Sequence, residues 1–73
     1  MSFDQQEKRF IEMTENILQF FNTGRRKKLM VGYYVADGNR AEILWGDVII
    51  TDGLTVHEAY IYVWGFTSGR CRR

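Results

Sequence analysis

Proline is absent from the chain, and cysteine and histidine each occur once. Without proline, nothing forces a break inside a helix or strand. One cysteine excludes an internal disulfide, and no Ser-His-Asp or Cys-His catalytic arrangement can be assembled around the one histidine. There is neither an apolar h-region near Met1 nor an apolar run of about 18 residues, so a cytoplasmic protein without a membrane partner is expected. An excess of one charge is lacking as well, because ten Lys and Arg meet nine Asp and Glu for a formal net charge of +1. The molecule as a whole therefore has no field that draws it to nucleic acid or anionic lipid, and any such attraction must be local. Gly24 is followed by basic residues but lacks the second glycine and the Lys-Ser/Thr pair of a phosphate-binding loop. No cofactor is implied.

What the chain does have is a 45% hydrophobic fraction that includes 15% aromatics, enough to exclude disorder. Its 73 residues support one domain, in the size range where a lone core leaves little stability to spare. Support from a second copy or another protein is expected on that ground.

Residues 2–21 read as an amphipathic helix, with Phe3, Phe10, Ile11, Met13, Ile17, Leu18, Phe20 and Phe21 on one side at a 3.6-residue spacing. Ser2 and Gln5 fit a capping box, Asp4 and Glu7 suit the positive end of the helix, and Gly24 is a natural stop. The apolar arc covers about half the cylinder, wider than one sheet needs, so part of it should meet something else.

Beyond the run Arg25-Arg26-Lys27-Lys28 the residues become β-branched and aromatic, punctuated by Asp37-Gly38 and Asp52-Gly53. Both dipeptides suit two-residue hairpin turns, which predicts antiparallel strands over 28–36, 39–51 and 54–66. The expected fold is α+β: one N-terminal amphipathic helix on a three-stranded antiparallel sheet, an α-β-β-β meander. Residues 1–66 form its single domain and 67–73 a flexible basic tail.

Two-residue turns would set Val31 opposite Leu44 and Leu44 opposite Ile61, separating two faces. An aliphatic face of Leu29, Val31, Val35, Leu44, Val48, Ile50, Ala59, Ile61 and Val63 would take the helix. The other face would gather Met30, Tyr34, Ile43, Trp45, Tyr60, Tyr62 and Trp64, with no second helix to cover it, a larger apolar patch than a soluble monomer usually exposes. The strain in this register lies at Gly46-Asp47, where Asp47 would face Glu58; a β-bulge at Gly46 would relieve it.

The aromatic face points to a non-enzymatic protein-binding module of inhibitor or adaptor type, as small phage and mobile-element proteins often are. Tyr34, Trp45, Tyr60, Tyr62 and Trp64 would be its contact residues, against another protein or a second copy stacked sheet to sheet. Arg25, Arg26, Lys27 and Lys28 would form an electrostatic rim, although cations at this position also stabilise a helix C-terminus. The alternative is a single-stranded nucleic-acid-binding protein that stacks bases on the same aromatics, with these cations and Arg70, Arg72 and Arg73 on phosphates. Asp47, Glu58 and His57 are the one grouping reminiscent of catalysis or a metal site, but neighbours on a strand point to opposite faces. Cys71 lies between two arginines that would favour its thiolate, with no base beside it.

Overall fold

The computed structural model describes residues 3–35 and 38–70, with Arg70 described by its backbone alone. The order is α1 (Gln5–Asn22), β1 (Leu29–Val35), β2 (Asn39–Trp45), β3 (Val48–Leu54) and α2 (Val56–Arg70). The strands form one antiparallel sheet in the order β1-β2-β3. The α+β class and the three-stranded meander are as expected; a second helix follows them.

The cap of α1 differs from the Ser2 and Gln5 pair expected, of which Ser2 lies outside the described residues. Asp4 Oδ1 accepts from the Glu7 N–H at 2.7 Å, and Glu7 Oε1 accepts from the Asp4 N–H at 3.0 Å. An Asp-x-x-Glu box thus does the work of Ser-x-x-Gln, two residues later, and adds negative charge at the positive helix end. Thr23 caps the other end and Gly24 turns the chain away with φ +76°.

The strand register corrects the expected pairing. Val35 pairs with Asn39, so three residues join β1 to β2 where two were expected, and Asp37 itself lies outside the described residues. One extra loop residue moves each partner by one: Val31 faces Ile43 instead of Leu44, and Met30 faces Leu44 instead of Trp45. Leu29, Val31, Tyr33, Ala41, Ile43 and Trp45 therefore share the inner face, and Leu44 leaves the aliphatic set for the opposite one.

The expected strand over 39–51 is interrupted at Gly46-Asp47. Trp45 pairs with Val48 across this two-residue loop, and Gly46 has φ +68°. A turn, and not a bulge, removes Asp47 from the ladder. Asp52-Gly53, expected as a turn, lies inside β3, where the register shifts between Ala41 and Ile43 and Gly53 has φ +72°. The physical signal was positive φ, which a bulge uses as readily as a hairpin turn.

The expected third strand over 54–66 is mostly helix. Thr55 and Glu58 close a second capping box, with the Thr55 N–H donating to Glu58 Oε1 at 2.9 Å and the Glu58 N–H donating to Thr55 Oγ1 at 3.1 Å. Val56, Ala59 and Val63 then fall on one helical face and are almost fully buried, so tertiary burial outweighs the β-propensity of the aromatic run. The helix continues to Arg70, past the boundary set at Phe66, while Cys71, Arg72 and Arg73 lie outside the described residues.

Both helices cover the same face of the sheet. Leu18 and Phe21 from α1, Leu29, Ala41 and Ile43 from the sheet, and Ala59 and Val63 from α2 form one buried cluster. The helices run parallel: Phe10 packs on His57 and Tyr60 early in α2, and Phe21 packs on Phe66 near its end. α2 is thus what the wide apolar arc of α1 meets. Met13 and Phe20 still project to solvent, Phe20 with 86% of its surface exposed.

Candidate functional site

The five aromatics expected on one sheet face occupy four environments. Tyr34 alone lies on the face away from the helices, where its hydroxyl accepts from the Gly53 N–H at 3.2 Å. Trp45 points inward to Phe66 and Phe21, with ring centroids 5.3 and 6.4 Å away. Tyr62 stacks on Phe66 and Tyr60 packs against Phe10, both on α2. Trp64 projects from α2 with 57% of its surface exposed. The expected aromatic face thus fails because its third strand is a helix and its register is shifted by one.

The basic run closes the C-terminal end of α1. Arg25 lays its guanidinium 4.0 Å above the Phe21 ring and donates from Nε to the Phe21 carbonyl at 2.7 Å. Lys28 Nζ donates to the Asn22 carbonyl at 2.9 Å. Lys27 runs beside Gly46 and brings Nζ over Trp45 at 5.4 Å. Arg26 is exposed. Cations on the last carbonyls of a helix are stabilised by its dipole, which accounts for this composition locally.

The strongest candidate surface is the open face of the sheet. Alternation places Met30, Gly32 and Tyr34 of β1 there, with Arg40, Glu42 and Leu44 of β2. Ile49, paired with Leu44, joins them from β3. Met30, Leu44 and Ile49 are cross-strand neighbours and make an apolar row across the whole sheet. Met30 and Ile49 are each about half exposed, at 54% and 51%. Nothing among the described residues covers this row. Beside it the face turns polar, with Glu42 folded over Gly32 and Arg40 opposite Tyr34.

Other features offer less. A groove of about 280 Å³ lies between the two helix N-termini, lined by Asp4, Glu7, Phe10, Val56 and His57 among others. The capping carboxylates Asp4, Glu7 and Glu58 already take N–H groups at those helix ends. His57 is stacked on Phe10 at 4.6 Å. Asp47 sits in the β2–β3 turn and Glu58 beyond the other end of β3, about 23 Å of strand apart, so the suspected acid pair is not assembled. Among the described residues no group of three or more His, Cys, Asp or Glu could hold a metal ion, and no helix is long and apolar enough to cross a membrane.

Sequence reasoning missed two residues that matter. Asn22 uses its side-chain amide to bond both main-chain groups of Leu29, locking the start of β1 to the end of α1. Tyr33 lies inside, its ring edge-on to Phe3 and its hydroxyl buried with no hydrogen-bond partner. Its pKa is pushed up to about 12, by burial first and the nearby Glu15 charge second, with the Thr14 hydroxyl pulling the other way. An Asn next to a helix end carries no distinctive signal, whereas strand alternation already sets Tyr33 between Val31 and Val35 on the helix side. Comparison with protein-family models, curated proteins and solved structures finds no match.

Proposed function

We propose that this chain is a non-enzymatic protein-binding module of inhibitor or adaptor type whose working surface is the open face of the sheet. One observation carries the reading: both helices cover the same side, leaving the row Met30, Leu44 and Ile49 uncovered on the other. A contiguous apolar surface of this kind costs solubility unless a partner removes it from water. Tyr34 at its margin supplies an aromatic anchor, and Arg26, Lys27 and Lys28 precede β1 at the Met30 end, where charge raises encounter rates more than affinity. The simplest occupant is a second copy, open face to open face, since two sheets stack about 10 Å apart and the contact is self-complementary.

Light scattering coupled to size exclusion, over a concentration series, tests this on the wild type and on Leu44→Lys. The expected result is a mass that rises toward two chains in the wild type and stays at one in the variant. The variant's unfolding free energy should stay within about 0.5 kcal/mol, as for a surface substitution. A wild type that stays at one chain passes the surface to a different protein. A Leu44→Lys chain that unfolds shows that the open face belongs to the core, which overturns the reading.

A further inference from the structure

The free edge of the sheet at β1 carries an inference independent of the open face. β1 pairs with β2 in unbroken register from Leu29 to Val35, without bulge, proline or charged residue. Its outer side is identified by Asn22: the Leu29 N–H donates to Asn22 Oδ1 at 2.9 Å, and Asn22 Nδ2 donates to the Leu29 carbonyl at 2.8 Å. The Lys28 carbonyl, one residue earlier, instead accepts from the Gly46 N–H beyond β2. By the strand period of two, Val31, Tyr33 and Val35 also turn N–H and C=O outward. Among the described residues no hydrogen bond is made to those groups. The Asn22 amide thus occupies the first position of a strand whose remainder is absent. Proteins usually blunt such an edge with charge, proline or a bulge, as β3 does with its irregular register; β1 has none of these.

Two carboxylates lie near this edge, one on each face of the sheet. Glu42 reaches over Gly32 on the open face, with Oε2 only 3.1 Å from where a Gly32 Cβ would stand. Glu15 lies on the helix side, next in sequence to the buried Thr14 and close enough to act on the Tyr33 hydroxyl. Neither makes a hydrogen bond or ion pair among the described residues. A second copy fits poorly here. Pairing β1 with β1 about a two-fold axis would draw Glu15 and Glu42 toward their own counterparts, while β1 brings no cation to offset them.

We propose that the β1 edge accepts an extended segment of a partner protein as a fourth strand, and that the segment carries two adjacent basic residues. Neighbours on a strand point to opposite faces, so one basic side chain meets Glu42 and the next meets Glu15. The main chain of the segment bonds to Val31, Tyr33 and Val35, and the Asn22 amide marks where pairing stops.

The probe is a fluorescent ten-residue peptide of alternating Val and Thr with Lys-Arg at its centre, titrated into the full chain. Controls carry Glu-Glu at the centre or N-methyl groups on alternate amides. Amide exchange at Val31 and Tyr33 is expected to slow at least about tenfold when the peptide saturates. The Glu15→Gln, Glu42→Gln double variant should bind about tenfold more weakly, near the upper range for two exposed ion pairs. The N-methylated and Glu-Glu peptides should lose at least that much. Equal affinity for any control peptide, an unchanged affinity in the double variant, or no binding by the Lys-Arg peptide overturns the proposal. Protection of Val31 and Tyr33 by concentrated protein alone overturns it too, since the edge would then belong to a second copy. Because Leu44 is not on the edge, Leu44→Lys should bind the peptide as the wild type does, separating this site from the open face.

Discussion

The Tyr33 hydroxyl is buried without a partner, and its raised pKa makes stability depend on pH in a definite direction. A tyrosine in the unfolded chain titrates near pH 10. Between about pH 10 and 12 the unfolded state therefore binds fewer protons than the folded one, and stability falls as pH rises until both forms are ionised. Tyr33→Phe should remove this component. It should also be neutral at pH 7, or stabilising by up to about 1 kcal/mol, because it deletes an unsatisfied buried group. Urea midpoints measured from pH 7 to 11.5 check both statements; parallel curves for wild type and variant would show that Tyr33 ionises freely in the fold. Alternation within β1 sets Tyr33 between Val31 and Val35 on the helix side whatever the loop length, but nothing in the sequence marks its hydroxyl as buried. Tyr34, selected from the sequence, does lie on the open face, whereas Trp45 and Tyr62 were absorbed by the aromatic cluster around Phe66.

Among the elements, two glycines should respond oppositely to alanine. Gly65 lies in the exposed part of α2 with open space where a Cβ would stand, so Gly65→Ala should stabilise by about 0.5–1 kcal/mol. Gly46 turns the chain between β2 and β3 at φ +68°, and a Cβ there would come 3.0 Å from the Lys27 side chain. Gly46→Ala should destabilise by about 1 kcal/mol or more, chiefly through the left-handed backbone. Thermal unfolding of the two variants separates the effects by sign. α1 was legible because its apolar period persists for five turns and its ends carry caps and glycine. The first two strands were legible from their β-branched content, but turn assignment misled beyond Trp45, where Asp-Gly outbid Gly-Asp as a hairpin signal. In α2 the aromatic and β-branched run 60–64 hid a Thr-x-x-Glu capping box that the sequence does contain. Reading that box first would have returned the second helix.

At the scale of the whole molecule, apolar residues divide between a core with little reserve and surfaces that contribute nothing to it. Leu18 is buried between the helices and the sheet, and Leu18→Ala should cost about 2–5 kcal/mol, a large share of what a chain this size holds. Phe20, two positions on, is almost wholly in solvent, and Phe20→Gln should leave the melting temperature within a few degrees. Calorimetry of both variants tests the division. An uncovered sheet face was legible in outline, because a short chain has few elements with which to cover two sides. Alternation put Met30 and Tyr34 on it, but which β2 residues line it depends on register, and register turned on a single loop residue.

The parallel alignment of α1 and α2 also governs how the fold bears load. The start of α1 lies beside the start of α2, so the start of α1 and the end of α2 sit at opposite ends of the helix pair, which α1 makes about 27 Å long. Tension applied between those two points slides one helix along the other in shear. The contacts of Phe10 with Tyr60 and of Phe21 with Phe66 would then have to yield together, whereas a hairpin of antiparallel helices pulled at its ends opens one contact at a time.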